Sequence, residues 1–199
     1  IDILMKEKNV DKAVEFTKNF LLDMIAEKFS LDKLIISKSL RQFYKKPNQV
    51  AHKVLAERIG KREPGNKPAV GSRVPFVYIQ TKGKVKLQGD RIEDPNYIIK
   101  NNLKPDFSFY ITNQIQKPVM QVFCLVLEQI TEFKSTLKGF KRQIRSIKRK
   151  YKDDLDKSIR YETKEREKYI NKIIFQTSVK KCASNKKNQA MKSFFSGYA

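Results

Sequence analysis

The sequence predicts a mainly α-helical chain with a small β-hairpin, an α+β fold continued by a basic helical extension. Apolar residues recur at spacings of three and four over most of its length, the periodicity of half-buried helices. One short region, Val74 to Leu87, instead reads as two strands joined through Lys82-Gly83. Past residue 130 the helical spacing persists while the composition turns basic. With 199 residues, 40% of them hydrophobic, the chain can build one good core, or a compact domain of about 130 residues with an extension.

Residues 10–29 place Val10, Ala13, Val14, Phe20, Leu21, Met24, Ile25 and Phe29 on one face of a helix, with Asp11 available as its N-cap. Leu34-Ile35-Ile36 is a brief strand or buried turn. Pro47-Asn48 opens a second helix that turns Val50, Ala51, Val54, Leu55 and Ile59 inward and Lys53, Arg58, Lys61 and Arg62 outward. Two prolines and a glycine between Glu63 and Pro68 enforce a basic loop. Val74–Ile79 and Lys84–Leu87 form the hairpin. Asp94-Pro95 starts a helix with Tyr97, Ile98 and Ile99 following inward. From Asp106 to Ile130 the helical pattern continues, broken or kinked by Pro118 near Lys117. Leu137, Phe140, Ile144, Ile147 and Tyr151 form a narrow apolar stripe on a basic helix; Asp153–Lys168 is mixed in charge, and Tyr169–Phe175 returns to the core, so this region is expected to be a helical hairpin. Residues 183–199 are expected to be a mobile tail.

Forty-three Lys and Arg against 21 Asp and Glu leave a net charge of +22, which calls for an anionic partner. The charge is concentrated. Residues 38–86 hold thirteen basic and two acidic side chains and residues 130–187 nineteen and seven, while 1–37 and 87–129 are close to neutral. Cys124, Cys182 and the single His52 are too few for a structural zinc or a disulfide framework, which points to a reducing, intracellular setting. Neither an apolar run of membrane-spanning length nor a signal-peptide core occurs, so no membrane partner is expected. Ile1-Asp2-Ile3-Leu4-Met5 reads like the interior of an element, so the chain is expected to be a piece of a larger protein.

No complete active site can be assembled from these residues. One histidine does not build a nucleophile triad, and His52 is expected to be a helix residue with a satisfied hydrogen bond. The seven glycines are scattered rather than gathered into a phosphate loop. Glu93-Asp94 and Asp153-Asp154 sit where a helix cap or a solvated face accounts for them. We therefore assign no catalytic residue and no metal ligand. The informative feature is the block 38–86. Lys38, Arg41, Lys53, Arg58, Lys61, Arg62, Lys67 and Arg73, with Lys45 and Lys46 beside them, fall on a turn, a helix and a loop that can share one surface. A solvated helix normally mixes signs, and only Glu57 and Glu63 interrupt this run. Such bases suit phosphate contacts, which position a duplex without reading its sequence. The rival reading is a free-standing basic protein that coats nucleic acid or an anionic membrane through the helix at 137–151.

Several ordered motifs carry a resemblance. Ala51-His52-Lys53-Val54-Leu55-Ala56-Glu57-Arg58, Lys61-Arg62-Glu63-Pro64-Gly65, Gly71-Ser72-Arg73-Val74-Pro75-Phe76-Val77, Glu93-Asp94-Pro95, and Tyr110-Ile111-Thr112-Asn113-Gln114-Ile115-Gln116-Lys117-Pro118-Val119 with Gln121-Val122-Phe123 resemble the C-terminal conserved region of family B DNA polymerases. Delta-like members, including those of large DNA viruses, are the nearest in kind. The resemblance implies a polymerase-thumb-like helical domain over 1–130, a basic helical insertion over 131–182 and a flexible tail over 183–199. It implies double-stranded primer–template DNA and the rest of the polymerase chain as partners, in the nucleus or at a viral replication site. The cysteine-rich metal modules that end cellular delta polymerases are missing, which favours a viral type. The palm motifs are absent too, so this stretch alone is expected to be inactive, with Mg2+ a requirement of the full polymerase rather than of these residues. In the tail, Asn188, Met191, Phe194 and Phe195 resemble the clamp-binding box of replication proteins, with Asn188 in place of the usual Gln, which implies a sliding clamp as a further partner.

Overall fold

The structure is a computed structural model that describes residues 2–81, 83, 85, 87–181 and 184. Its helices and strands run in the order α1 (Asp2–Lys6), α2 (Val10–Ile25), β1 (Ile36–Ser39), α3 (Ala51–Arg62), β2 (Arg73–Tyr78), β3 (Ile92–Glu93), α4 (Pro95–Lys100), α5 (Phe107–Phe109), α6 (Gln116–Leu125), α7 (Thr131–Lys134), α8 (Leu137–Lys150) and α9 (Leu155–Ile170). The chain divides into two compact units. One is continuous, Lys28–Tyr110; the other joins Ile1–Glu27 to Ile111–Ala199. The expected class, mainly α with a small β component, is what forms.

The continuous unit is built on a three-stranded antiparallel sheet of order β1-β2-β3. Ile36 stands opposite Phe76 and Ser39 opposite Arg73, and on the other edge Val77 opposes Glu93. This corrects the expected hairpin. Val74, Phe76 and Val77 are buried, so β2 is a central strand that needs partners on both edges, and an isolated two-stranded ribbon is marginal in water. β1 and β3 supply those edges, whereas Val85 and Leu87 carry no strand; Lys82, Lys84 and Lys86 lie outside the described residues. α3 lays Leu55 and Ala56 on the sheet against Leu40, Val74, Phe76 and Ile92, with Ala51 and Ile59 at the margin. Gly89 is required beneath α3, because a Cβ there would stand 2.7 Å from Val54 Cβ.

Below the sheet, Tyr78 stacks on Phe109 with ring centroids 3.6 Å apart. The buried Tyr110 hydroxyl donates to Leu34 O (2.7 Å) and accepts from Tyr78 N–H (3.0 Å). Burial pushes this phenol up to about 12. Asp94 caps α4 by accepting from the Asn96 and Tyr97 amides, as Asp94-Pro95 predicts.

In the second unit α2 buries Val10, Ala13, Val14, Leu21 and Met24. Its N-cap is Asn9, whose side chain accepts from Lys12 N–H at 2.9 Å. Asp11 is not the cap; it accepts from the Thr131 hydroxyl (2.6 Å) and amide (2.9 Å), and these bonds hold its carboxyl below the usual range. Pro118 lies inside α6 rather than ending it. The preceding turn, Tyr110–Ile115, is π-helical, and this wider winding accommodates a residue that can neither donate to nor pack against the turn before it. α8 and α9 form the expected helical hairpin. Phe133, Phe140 and Tyr169 meet edge-to-face at 5.1 to 5.6 Å, and Ile170, Ile174 and Phe175 return to the core. Arg166 fastens α9 by donating to Cys124 O and, with both terminal nitrogens, to the Glu128 carboxylate.

Candidate nucleic-acid interface

The described bases of the block fall into three groups with different surroundings. In the first, Arg58 and Arg62 turn inward instead of outward. Both guanidiniums converge on Glu93, whose side chain is 6% exposed, at 3.2 Å from Arg58 and 2.6 Å from Arg62. Arg58 also donates to Ile92 O (3.0 Å) and Gly89 O (2.6 Å), and Arg62 lies over the Tyr97 ring at 3.8 Å. A carboxylate this buried requires such partners. The physical reason is helical spacing: Arg58 and Arg62 lie three and seven residues beyond the buried Leu55, on the flank of the stripe that faces the sheet.

Glu57 holds the second group. Lys53 donates to one of its oxygens (2.7 Å) and Lys67 to the other (2.9 Å). These hydrogen bonds hold the Glu57 carboxyl at about 2, so it stays charged and neutralises much of both ammonium groups. A surface cleft of about 400 Å³ lined by Lys53, Arg58, Lys61, Glu57 and Asp90 is therefore mixed in sign.

Lys38, Arg41, Lys45, Lys46, Lys61 and Arg73 make up the third group. All are exposed, and among the described residues none has a carboxylate within ion-pair distance. Lys38 and Arg41 flank the same imidazole: burial first, and then these two charges, lower the His52 pKa. His52 lies 2.9 Å from the Tyr44 hydroxyl, which accepts the Arg41 amide. The expected satisfied hydrogen bond is present, and it fixes the turn that displays Arg41. Arg73, across the β1–β2 ladder, is held by Ser37 through its Nε and a terminal nitrogen. Lys61 stands apart, nine residues beyond His52 and so about 13 Å further along α3.

No group of three or more His, Cys, Asp or Glu side chains converges on a metal site among the described residues. Glu57, Glu93 and Asp106 are each engaged by Lys or Arg. The residues present do not fit the Mg2+ that the resemblance implies for the full polymerase, and no metal-dependent step is placed on them. Among the described residues no helix is long and apolar enough to cross a membrane. Asn188, Met191, Phe194 and Phe195 lie outside the described residues. Glu93, expected with Asp94 at a helix cap or on a solvated face, is instead buried between two arginines; the signal was the i, i+4 pair of arginines on the apolar flank of α3.

Residues 1–126 match the profile of DNA polymerase family B. The chain is 40% identical over 181 residues to a DNA polymerase of Pyramimonas orientalis virus, covering 90% of this chain and 15% of that protein. It is 46% identical over 149 residues to a DNA polymerase of Acanthamoeba polyphaga mimivirus, covering 72% and 8%. To the DNA polymerase delta catalytic subunit of Candida albicans it is 34% identical over 139 residues, covering 70% and 13%. The chain belongs to DNA polymerase family B and is delta-like within it, with relatives in giant viruses. It spans no more than 15% of the length of these relatives.

Proposed function

We propose that this chain is the thumb region of a DNA-directed DNA polymerase, holding primer–template duplex through phosphate contacts while other parts of the polymerase, with Mg2+, carry out nucleotidyl transfer. One observation carries the reading. Within the family-matching region the structure spends four of the predicted bases on Glu93 and Glu57, and leaves Lys38, Arg41, Lys61 and Arg73 exposed, with no carboxylate in ion-pair distance among the described residues. Exposed, uncompensated cations on a rigid sheet and helix suit a protein that must accept every sequence, because phosphates are the part of a duplex that does not vary. Against the membrane rival stands the partial burial of the α8 stripe: Phe140 is 2% exposed, and Leu137, Ile144, Ile147 and Tyr151 are half-buried. The polymerase's other partners follow as proposals, a sliding clamp reached through 185–199 among them.

The test is a salt titration of duplex binding by the chain and by a Lys38→Gln/Arg41→Gln/Lys61→Gln variant. The variant should bind unrelated sequences equally weakly, and its log–log salt slope should flatten by up to ~2.7, at ~0.9 per phosphate no longer neutralised. An unchanged slope removes these residues from the interface. A peptide covering 185–199, with a Phe194/Phe195 double-Ala control, tests the clamp reading: equal binding by the two, or none by either, removes it.

A further inference from the structure

We propose that α8 is a second phosphate-binding element, a rigid basic helix that lies along the backbone of duplex DNA; the proposal rests on the reading of this chain as a duplex-holding region. Lys138, Lys141, Arg142, Arg145, Lys148, Arg149 and Lys150 occupy the helix with no acidic residue among them, and all are exposed. Lys148 reaches Glu162 at 3.6 Å; among the described residues no carboxylate lies within ion-pair distance of Lys138, Arg142, Arg145 or Arg149.

The bland account is a solvated helix whose cations answer the helix dipole. It covers Lys148, Arg149 and Lys150, which sit in the last turn where a cation is favourable. It does not cover Lys138 in the first turn, where the dipole disfavours a cation, nor the like-charge neighbours Lys138/Arg142, Lys141/Arg145 and Arg145/Arg149 at i, i+4, which repel. An apposed row of anions relieves both.

Geometry selects the partner. Lys138, Arg142, Arg145 and Arg149 follow one another at intervals of four, three and four, a single stripe about 16 Å long. One strand of B-DNA carries a phosphate every ~3.4 Å of axis along a path that winds around it, so a straight stripe of this length meets several phosphates. The opposite face is committed to the protein: Phe140 packs on Phe133 and Tyr169, and Gln143 accepts the Tyr169 hydroxyl at 3.0 Å. The far end is held by Tyr151 and Tyr161, stacked nearly parallel with centroids 4.7 Å apart, and by Asp154, which caps α9. α8 thus offers a preorganised polar face and no apolar one, which favours a phosphodiester backbone over a bilayer.

The experiment compares the chain with two variants, Lys138→Gln/Arg142→Gln/Arg145→Gln/Arg149→Gln and the Lys38/Arg41/Lys61 triple, titrating a duplex oligonucleotide across salt concentration. Helicity by circular dichroism checks that the exposed Gln substitutions leave the fold intact. The α8 variant is expected to flatten the log–log slope by up to ~3.6, equally for unrelated sequences and additively with the triple. A change in the α8 variant alone supports α8 and removes the sheet-side reading. A change in the triple alone overturns the α8 proposal, and no change in either overturns it together with the duplex-holding function. Vesicles of phosphatidylcholine with phosphatidylserine form the last arm: tighter binding to them than to duplex, abolished when the exposed Leu155 and Ile159 of α9 are replaced (Leu155→Ser/Ile159→Ser), would assign this hairpin to a membrane instead.

Discussion

Replacing Glu93 by Ala removes the one carboxylate that two arginines share, and the structure sets the size of the effect. The Glu93 side chain is 6% exposed, while those of Arg58 and Arg62 are 29% and 27% exposed. Breaking a fully buried pair from one side costs about 3–5 kcal/mol. Here water reaches the arginines in part, and Arg58 keeps its bonds to Ile92 O and Gly89 O, so the expected destabilisation is about 2–3 kcal/mol. For a chain of this size that lowers Tm by roughly 4–12 °C. Thermal and urea melts of wild type, Glu93→Ala, Arg62→Met and the double variant form a cycle. The double variant should be destabilised by less than the sum of the singles, because Glu93→Ala strands the charge that Arg62→Met removes. A destabilisation under about 0.5 kcal/mol for Glu93→Ala would refute the reasoning. Arg58 and Arg62 would then be ordinary surface cations, free for phosphate as their sequence positions first suggested.

Other substitutions probe the same architecture. His52 has a lowered pKa, so the unfolded chain takes up its proton first; stability should fall as pH drops below about 6.5 and on toward the folded value, and His52→Gln should remove that slope in a pH series of melts. Gly89→Ala drives a Cβ to 2.7 Å from Val54 Cβ and should cost about 1–3 kcal/mol in a urea melt, with Val54→Ala restoring part of it. Tyr110→Phe leaves Leu34 O and Tyr78 N–H without their partner and should cost about 2–3 kcal/mol by the same measurement.

How much was legible in advance differs by kind of interaction. Apolar spacing located α2, α3 and the α8–α9 hairpin, because a helix's buried stripe is written into residues three and four apart. Asp94-Pro95 located α4 for a similar reason, since a cap acts on amides two and three positions away. Asp11 misled because the cap was the neighbouring Asn9, while Asp11 served Thr131, a partner 120 positions away.

By itself the sequence determined the quantities that add up locally: helical class, the segregation of +22 into two blocks, and the ordered motifs of a polymerase family. Tertiary structure alone decided which cations remain available. Sheet pairing is a long-range choice, so the partners of β2 came from β1 and β3, while the adjacent Val85 and Leu87 carry no strand. That choice carried Glu93 to the flank of α3 and consumed Arg58 and Arg62, while Glu57 consumed Lys53 and Lys67 from within its own segment. Charge is a property of composition, but an uncompensated charge is a property of distance. Only the folded chain could leave Lys38 and Arg41, and the outer face of α8, exposed with no carboxylate in ion-pair distance among the described residues.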